Sequence, residues 1–137
     1  MKRFLLDTNT AAHFVHRRHG VHHRADVEVR KGNRVGICTI VMGELWDGVE
    51  YSESRDRNAS LTTVRTGKLV MWPYDKAAAL EYGRIAADLR RRGRLIQQPD
   101  IQIAAITLLI PNCTLVTTDS DFQVVAGLRI ENWVEEK

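Results

Sequence analysis

Cysteine is scarce in this chain, as are proline and aromatic residues: two Cys, three Pro, and three each of Phe, Trp and Tyr in 137 residues. Cys38 and Cys113 stand singly in apolar, strand-like runs, with no Cys-x-x-Cys pair. That excludes a disulfide framework and a thiolate zinc site, and leaves two buried, reduced thiols. Long hydrophobic runs are missing too. The stretch Ile103–Ile110 is interrupted by Thr107 and falls far short of the roughly 18–20 residues that cross a bilayer. The opening Phe4-Leu5-Leu6 ends at Asp7, too early for a signal peptide, so a cytoplasmic protein, mature as written, without membrane association, is expected. There is no repeat, low-complexity tract or linker, and the length predicts one domain spanning residues 1–137 with a full core. A strong excess of one charge is also absent. A net charge of +3 and a pI near 9.1 accommodate an anionic partner without selecting one.

What the sequence does contain is alternation. Arg3–Leu6, Val35–Cys38, Leu69–Trp72 and Thr114–Val116 have strand character, with a shorter fifth candidate at Leu128–Ile130. Helical spacing predicts segments at Thr8–His19, Val21–Lys31, Thr39–Glu50, Arg55–Thr66, Lys76–Arg92 and Asp100–Ile110. The long one carries Ala79, Tyr82, Ala86 and Leu89 on one face and stops at Gly93. Strands alternating with helices imply parallel pairing through helical crossovers, hence a layered α/β sandwich. In such folds ligands bind beyond the carboxyl ends of the strands, at a topological switch point. Acidic residues just after strands, or in the first turns of the following helices, are therefore the candidates for chemistry.

Four carboxylates meet that criterion. Asp7 ends the first strand in Leu5-Leu6-Asp7-Thr8-Asn9; an Asp there is a good helix cap, but Thr8 could cap as well. Glu44 lies in the second turn of a helix that Thr39 could cap, on a face of small and apolar residues. An idle, unpaired charge on such a face would be costly, and a buried, purposeful carboxylate is expected. Asp100 follows Pro99 in a first helical turn, where the helix dipole favours an acid, and shares a core-like face with Ile103, Ala104 and Thr107. Asp119 and Asp121 follow the fourth strand in Thr117-Thr118-Asp119-Ser120-Asp121-Phe122. Being two apart they point different ways, and Asp119 is favoured for the site, with Asp121 as a cap or support. Two carboxylates about 5 Å apart repel by roughly 3 kcal/mol at an effective dielectric near 20. Several such pairs call for protons or a cation, and oxygen ligands without His or Cys select Mg²⁺ or Mn²⁺ over zinc. Such a site polarises a phosphate and activates water against a phosphodiester.

At these residues the chain resembles the PIN-domain proteins, and most of all the VapC toxins of bacterial toxin–antitoxin pairs. The resemblance rests on Leu5–Asn9, on Thr39-Ile40-Val41-Met42-Gly43-Glu44-Leu45 and on Pro99-Asp100-Ile101-Gln102-Ile103-Ala104-Ala105. The tail Leu115–Phe122 followed by Gly127–Trp133 completes it, so it runs nearly end to end. It implies a three-layer sandwich around a parallel five-stranded sheet, with the first and fourth strands adjacent and Asp7 beside Asp119. It also implies a Mg²⁺-dependent endoribonuclease that hydrolyses RNA, works as a homodimer and is silenced by a cognate antitoxin. Asp7, Glu44, Asp100 and Asp119 would be its catalytic, metal-binding carboxylates, with Thr8, Asn9, Thr117 and Asp121 in support. The same site would serve a nuclease acting on other RNA or on DNA without a toxin role. A PIN-like binding module without metal is the non-enzymatic alternative.

All five histidines fall between His13 and His23. His13, His16 and His19 drift around a helix instead of sharing one face, which argues against a soft-metal site and for a solvated edge with some RNA contact. The basic run Arg90, Arg91, Arg92 and Arg94 has the character of a solvated helix end. Trp46 and Trp72 are expected as core or interface anchors.

Overall fold

The computed structural model describes residues 1–136. Its elements run β1 (Arg3–Leu6), α1 (Thr8–His16), α2 (Val21–Arg30), β2 (Arg34–Cys38), α3 (Thr39–Tyr51) and α4 (Arg55–Thr66). Then come β3 (Val70–Trp72), α5 (Lys76–Arg91), α6 (Gln98–Leu109), β4 (Cys113–Val116), a 3-10 turn at Ser120–Val124 and β5 (Ile130–Glu131). The five strands form one sheet in the order β3-β2-β1-β4-β5, every pair parallel. The right-handed crossovers general to parallel sheets would put α1–α4 over one face and α5–α6 over the other. The helix packing agrees, with α1 against α2, α3 and α4, and α5 against α6.

Burial explains why the strands read as continuous apolar runs. β1 is central and covered on both faces, so Phe4, Leu5 and Leu6 are all buried, as parallel sheets require. Ile37, Val41, Ala104, Leu115 and Val116 extend the same core, and both cysteines lie in it as free thiols. Gly36 permits a close approach: a Cβ there would stand 2.3 Å from the Val70 carbonyl oxygen, inside the β2–β3 pairing. Behind β5, Trp133 packs on Phe4 at 5.0 Å between ring centroids, and the Arg24 guanidinium lies over its ring.

Three predicted boundaries move by two residues or more, each for a local reason. The first helix ends at His16 instead of His19, because Arg17 and His19 adopt left-handed backbone conformations (φ 54° and 56°) that no α-helix continues. The sixth helix starts at Gln98, two residues before Asp100, with Pro99 in its first turn. The last strand is Ile130–Glu131, not Leu128–Ile130, since its pairing with β4 begins at Leu115↔Ile130. The anchors behave as expected in part: Trp72 packs against the core, and Trp46 is half-buried.

Candidate active site

The strand order reverses direction at β1. The chain leaves β1 towards β2 on one side, while β4 lies on the other. Asp7 emerges at this switch point, its N–H donating to the Val116 carbonyl at 3.0 Å. Its carboxylate is buried and doubly held. Oδ1 accepts from the Thr10 N–H at 3.0 Å, and Oδ2 accepts from the Thr117 hydroxyl at 2.5 Å. Asp7, not Thr8, is thus the cap of α1. Capping and site geometry are one arrangement, because the cap fixes the rotamer that faces β4.

Thr117, not Asp119, is the immediate neighbour of Asp7 across the sheet. Its backbone N–H donates to the Glu131 carbonyl of β5, and its hydroxyl accepts from the Asp119 N–H at 3.0 Å while donating to Asp7. One buried hydroxyl therefore ties two acidic segments together. Asp119 in turn caps the 3-10 turn, its Oδ1 accepting from the Asp121 N–H at 2.9 Å. The capping role expected of Asp121 belongs to Asp119, and Asp121 itself is exposed.

Glu44 corrects the expectation of a buried carboxylate. It is exposed, on the second turn of α3, and its Oε1 accepts from the Thr8 hydroxyl at 2.5 Å. Since Thr8 opens α1, this hydrogen bond is itself a link between α1 and α3. Thr39 does not cap α3 by its side chain either; its hydroxyl accepts from the Tyr74 N–H at 3.1 Å and joins α3 to the segment after β3.

Asp100 stands half-buried in the first turn of α6, above the buried Ile103, Ala104 and Thr107. Its carboxyl is pushed up to about 6, first by burial and then by the charges of Asp119, Glu44, Asp7 and Asp121. Acids from three separate stretches of chain thus act on one carboxyl. Among the described residues, however, no group of three acidic, His or Cys side chains is arranged so that it could hold a metal ion by itself. The carboxylates are electrostatic neighbours without forming a closed coordination cage. Asn9 is exposed, and none of the hydrogen bonds among the described residues ties its side chain to this group.

A groove of about 310 Å³ leads away from Thr8 and Glu44 along α1 to His16, with Ser52, Asn58 and Thr62 on its far side. Sequence reasoning missed it. The signal was present for one wall, since Thr8, Ala12 and His16 recur every four residues on one helical face. The opposite wall comes from α3, the turn after it and α4, and no local pattern marks it.

The PIN domain family model matches residues 4–128. The chain belongs to the PIN domain family. Among PIN-domain relatives, a ribonuclease VapC2 of Haemophilus influenzae is 30% identical over 137 residues, covering 98% of this chain and 100% of the relative. A tRNA(fMet)-specific endonuclease VapC of Salmonella typhimurium is 30% identical over 133 residues, covering 97% and 99%. Among solved structures, DNA-bound VapBC from Salmonella typhimurium superposes with a TM-score of 0.88 at 30% identity, covering 97% of this chain and 99% of that one. VapBC2 from Rickettsia felis, bound to a promoter DNA fragment, gives a TM-score of 0.88 at 26% identity, covering 96% and 98%. Among the described residues no helix is long and apolar enough to cross a membrane.

Proposed function

We propose that this PIN-domain chain is a Mg²⁺-dependent endoribonuclease and the toxin of a toxin–antitoxin pair. RNA is its substrate, a cognate antitoxin its silencing partner, and a homodimer its working form. The observation that carries the catalytic part is the convergence of Asp7, Glu44, Asp119 and Asp121 on the carboxyl of Asp100 at the sheet's switch point. The toxin role is supported by relatives named ribonuclease VapC at 30% identity and by structural neighbours that are VapBC complexes.

The donor set fits a hard divalent cation. Every candidate ligand is a carboxylate oxygen, and the crowding that raises Asp100 is the cost a cation would relieve. Mg²⁺ typically keeps several waters and takes one or two carboxylates plus substrate phosphate, so it does not require a closed protein cage. Asp7, Glu44, Asp100 and Asp119 would hold it. When bound, the cation supplies polarisation of the scissile phosphate and a more acidic water. The chain's own groups do the rest. Thr117 and the Thr10 N–H hold the Asp7 carboxylate in one orientation, and Thr8 does the same for Glu44. Asp100, raised to about 6 by burial and its acidic neighbours, is the carboxyl whose charge a bound cation would stabilise most.

Incubating the purified protein with RNA tests this reading. Cleavage is expected with Mg²⁺ or Mn²⁺, to stop with excess chelator, and to be lost in Asp7→Asn and Asp100→Asn proteins that remain folded. Undiminished cleavage in chelator overturns it. Since one relative is named a tRNA(fMet)-specific endonuclease, tRNA is a sensible first substrate.

A further inference from the structure

The corner between α1 and α2 carries a second chemical feature, unconnected with the carboxylates. Arg17, Arg18, His19, His22 and His23 line an open cavity of about 940 Å³. Arg65 of α4 donates to the Val15 carbonyl and lines a separate small recess with Arg17, His22, Asp26 and Lys68. The imidazoles are gathered in pairs: His13 meets His19 edge-on at 4.6 Å, and His22 lies 4.0 Å from His23. Nδ1 of His13 and Nδ1 of His22 are buried and have no hydrogen-bond partner among the described residues.

This corner already receives anionic groups of the chain itself. Glu135 and Glu136 form its rim, and the Glu135 N–H donates to the His19 carbonyl at 2.9 Å. The Glu135 carboxyl stands directly over Gly20, where a Cβ would lie 2.4 Å from its Cδ. Among the described residues neither carboxylate makes an ion pair with the neighbouring arginines, so the two acids cover the corner without neutralising it through direct contacts.

The corner and the acidic site share the helix α1 but open as separate cavities. The two lie at opposite ends of α1, and the groove containing Thr8 and Glu44 extends to His16, next to Arg17. From Thr8 to Arg17 the helix rises about 13 Å. Even at the roughly 3.4 Å axial rise of a stacked duplex strand that is at most about four phosphate steps, and an extended single strand covers it in fewer. A single continuous polyanion can therefore occupy both places, whereas an acidic protein segment would need only the corner.

We propose that the Arg17–His23 corner is an RNA-phosphate exosite. In this arrangement the backbone of an RNA engaged at the carboxylates follows α1 and seats phosphates on Arg17, Arg18 and the neighbouring imidazoles, in competition with Glu135 and Glu136. The proposal rests on the ribonuclease reading and names how that same site would hold longer substrates.

Binding of a fluorescent single-stranded RNA of about 20 nucleotides, measured with EDTA present so that it stays intact, tests the exosite. The full chain is compared with an Arg17→Gln/Arg18→Gln protein and a Glu135→Gln/Glu136→Gln protein. Losing two phosphate contacts should weaken binding about tenfold and flatten the log K against log salt slope by about 1.4. The Glu pair should change affinity in the opposite direction, tightening it, which damage to the fold would not do. All three proteins should cleave a dinucleotide in Mg²⁺ at the same rate, because its single phosphate sits at the carboxylates and none is left to reach the corner. Unchanged affinity and salt slope in the Arg pair overturn the exosite, while persisting RNA cleavage in those samples leaves the ribonuclease reading intact. Unchanged RNA binding accompanied by lost affinity for a protein partner overturns it in favour of protein docking. A full chain that neither binds nor cleaves RNA removes the ribonuclease reading and the exosite together.

Discussion

The Thr117 hydroxyl donates to Oδ2 of Asp7 across 110 residues of sequence while accepting from the Asp119 N–H. This one side chain sets the spacing between the acid after β1 and the acidic loop after β4. Without it, Asp7 would keep its place at the head of α1, but Asp119 would lose its tie to β1.

Thr117→Val keeps the shape of the side chain and removes the hydroxyl. Groups that orient a metal-holding carboxylate typically contribute 10–100-fold to metal affinity or activity. A loss of about that size in RNA cleavage is expected, with a higher Mg²⁺ requirement and an unchanged far-UV spectrum. Wild-type Mg²⁺ dependence in the variant would show that the hydroxyl does not orient Asp7.

Asp100→Asn should stabilise the metal-free protein while abolishing cleavage. In the fold its carboxyl titrates at about 6, above the ordinary 3.8, because burial and four nearby acids disfavour its charge. The native state therefore binds more protons than the unfolded state between those values, and stability falls as pH rises through that window. Allowing for solvent screening of a half-buried group, the cost at neutral pH is on the order of 1–3 kcal/mol. In chelator near pH 7.5, Asp100→Asn should melt a few degrees above the parent. Adding Mg²⁺ should raise the melting temperature of the parent far more than that of the variant.

The same carboxyl predicts a pH dependence for metal binding. Protonated Asp100 cannot serve as an anionic ligand, so apparent Mg²⁺ or Mn²⁺ affinity should drop as pH falls below about 6. Calorimetric titrations on either side of that pH would show it. Equal affinities at both would remove Asp100 from the binding group.

Away from the site, Glu28→Ala should be among the more damaging single changes. Glu28 is buried; burial opposes its charge, but hydrogen bonds from Arg24 and Asn33 at 2.9 Å, with the Lys31 and Arg24 charges, hold its carboxyl below the ordinary range. The stabilisation is present above the unfolded carboxyl's pKa and lost as pH falls through the lowered one. The basic partners of Glu28, Arg24 and Lys31, remain in contact with solvent, so the loss is mainly that of the hydrogen bonds it accepts, about 1–3 kcal/mol. Urea unfolding at neutral pH would measure it, and the difference from the parent should shrink in acid.

Much of this architecture could be read along the chain. Alternating strands and helices, each with its own apolar period, imply a parallel sheet with helical crossovers. The ends of β1 and β4 and the Pro99-Asp100 start of α6 place acids where such sheets carry their chemistry. These are local signals, set by spacing over a few residues and by backbone groups that every helix start must satisfy. Neighbours in space were a different matter. Whether Thr117 or Asp119 faces Asp7 depends on the β1–β4 register, in which Leu6 pairs with Val116, and a one-residue slip would turn every side chain to the other face. Glu44 faces Thr8 in the open because α1 packs on α3, which no pattern within α3 encodes. The histidines and arginines meet at one corner because Arg17 and His19 take left-handed conformations that end α1 early and fold α2 back against it. The sequence by itself determined the elements and the chemistry each could carry; the tertiary structure decided which side chains share a hydrogen bond or a field, because those interactions act between elements far apart along the chain.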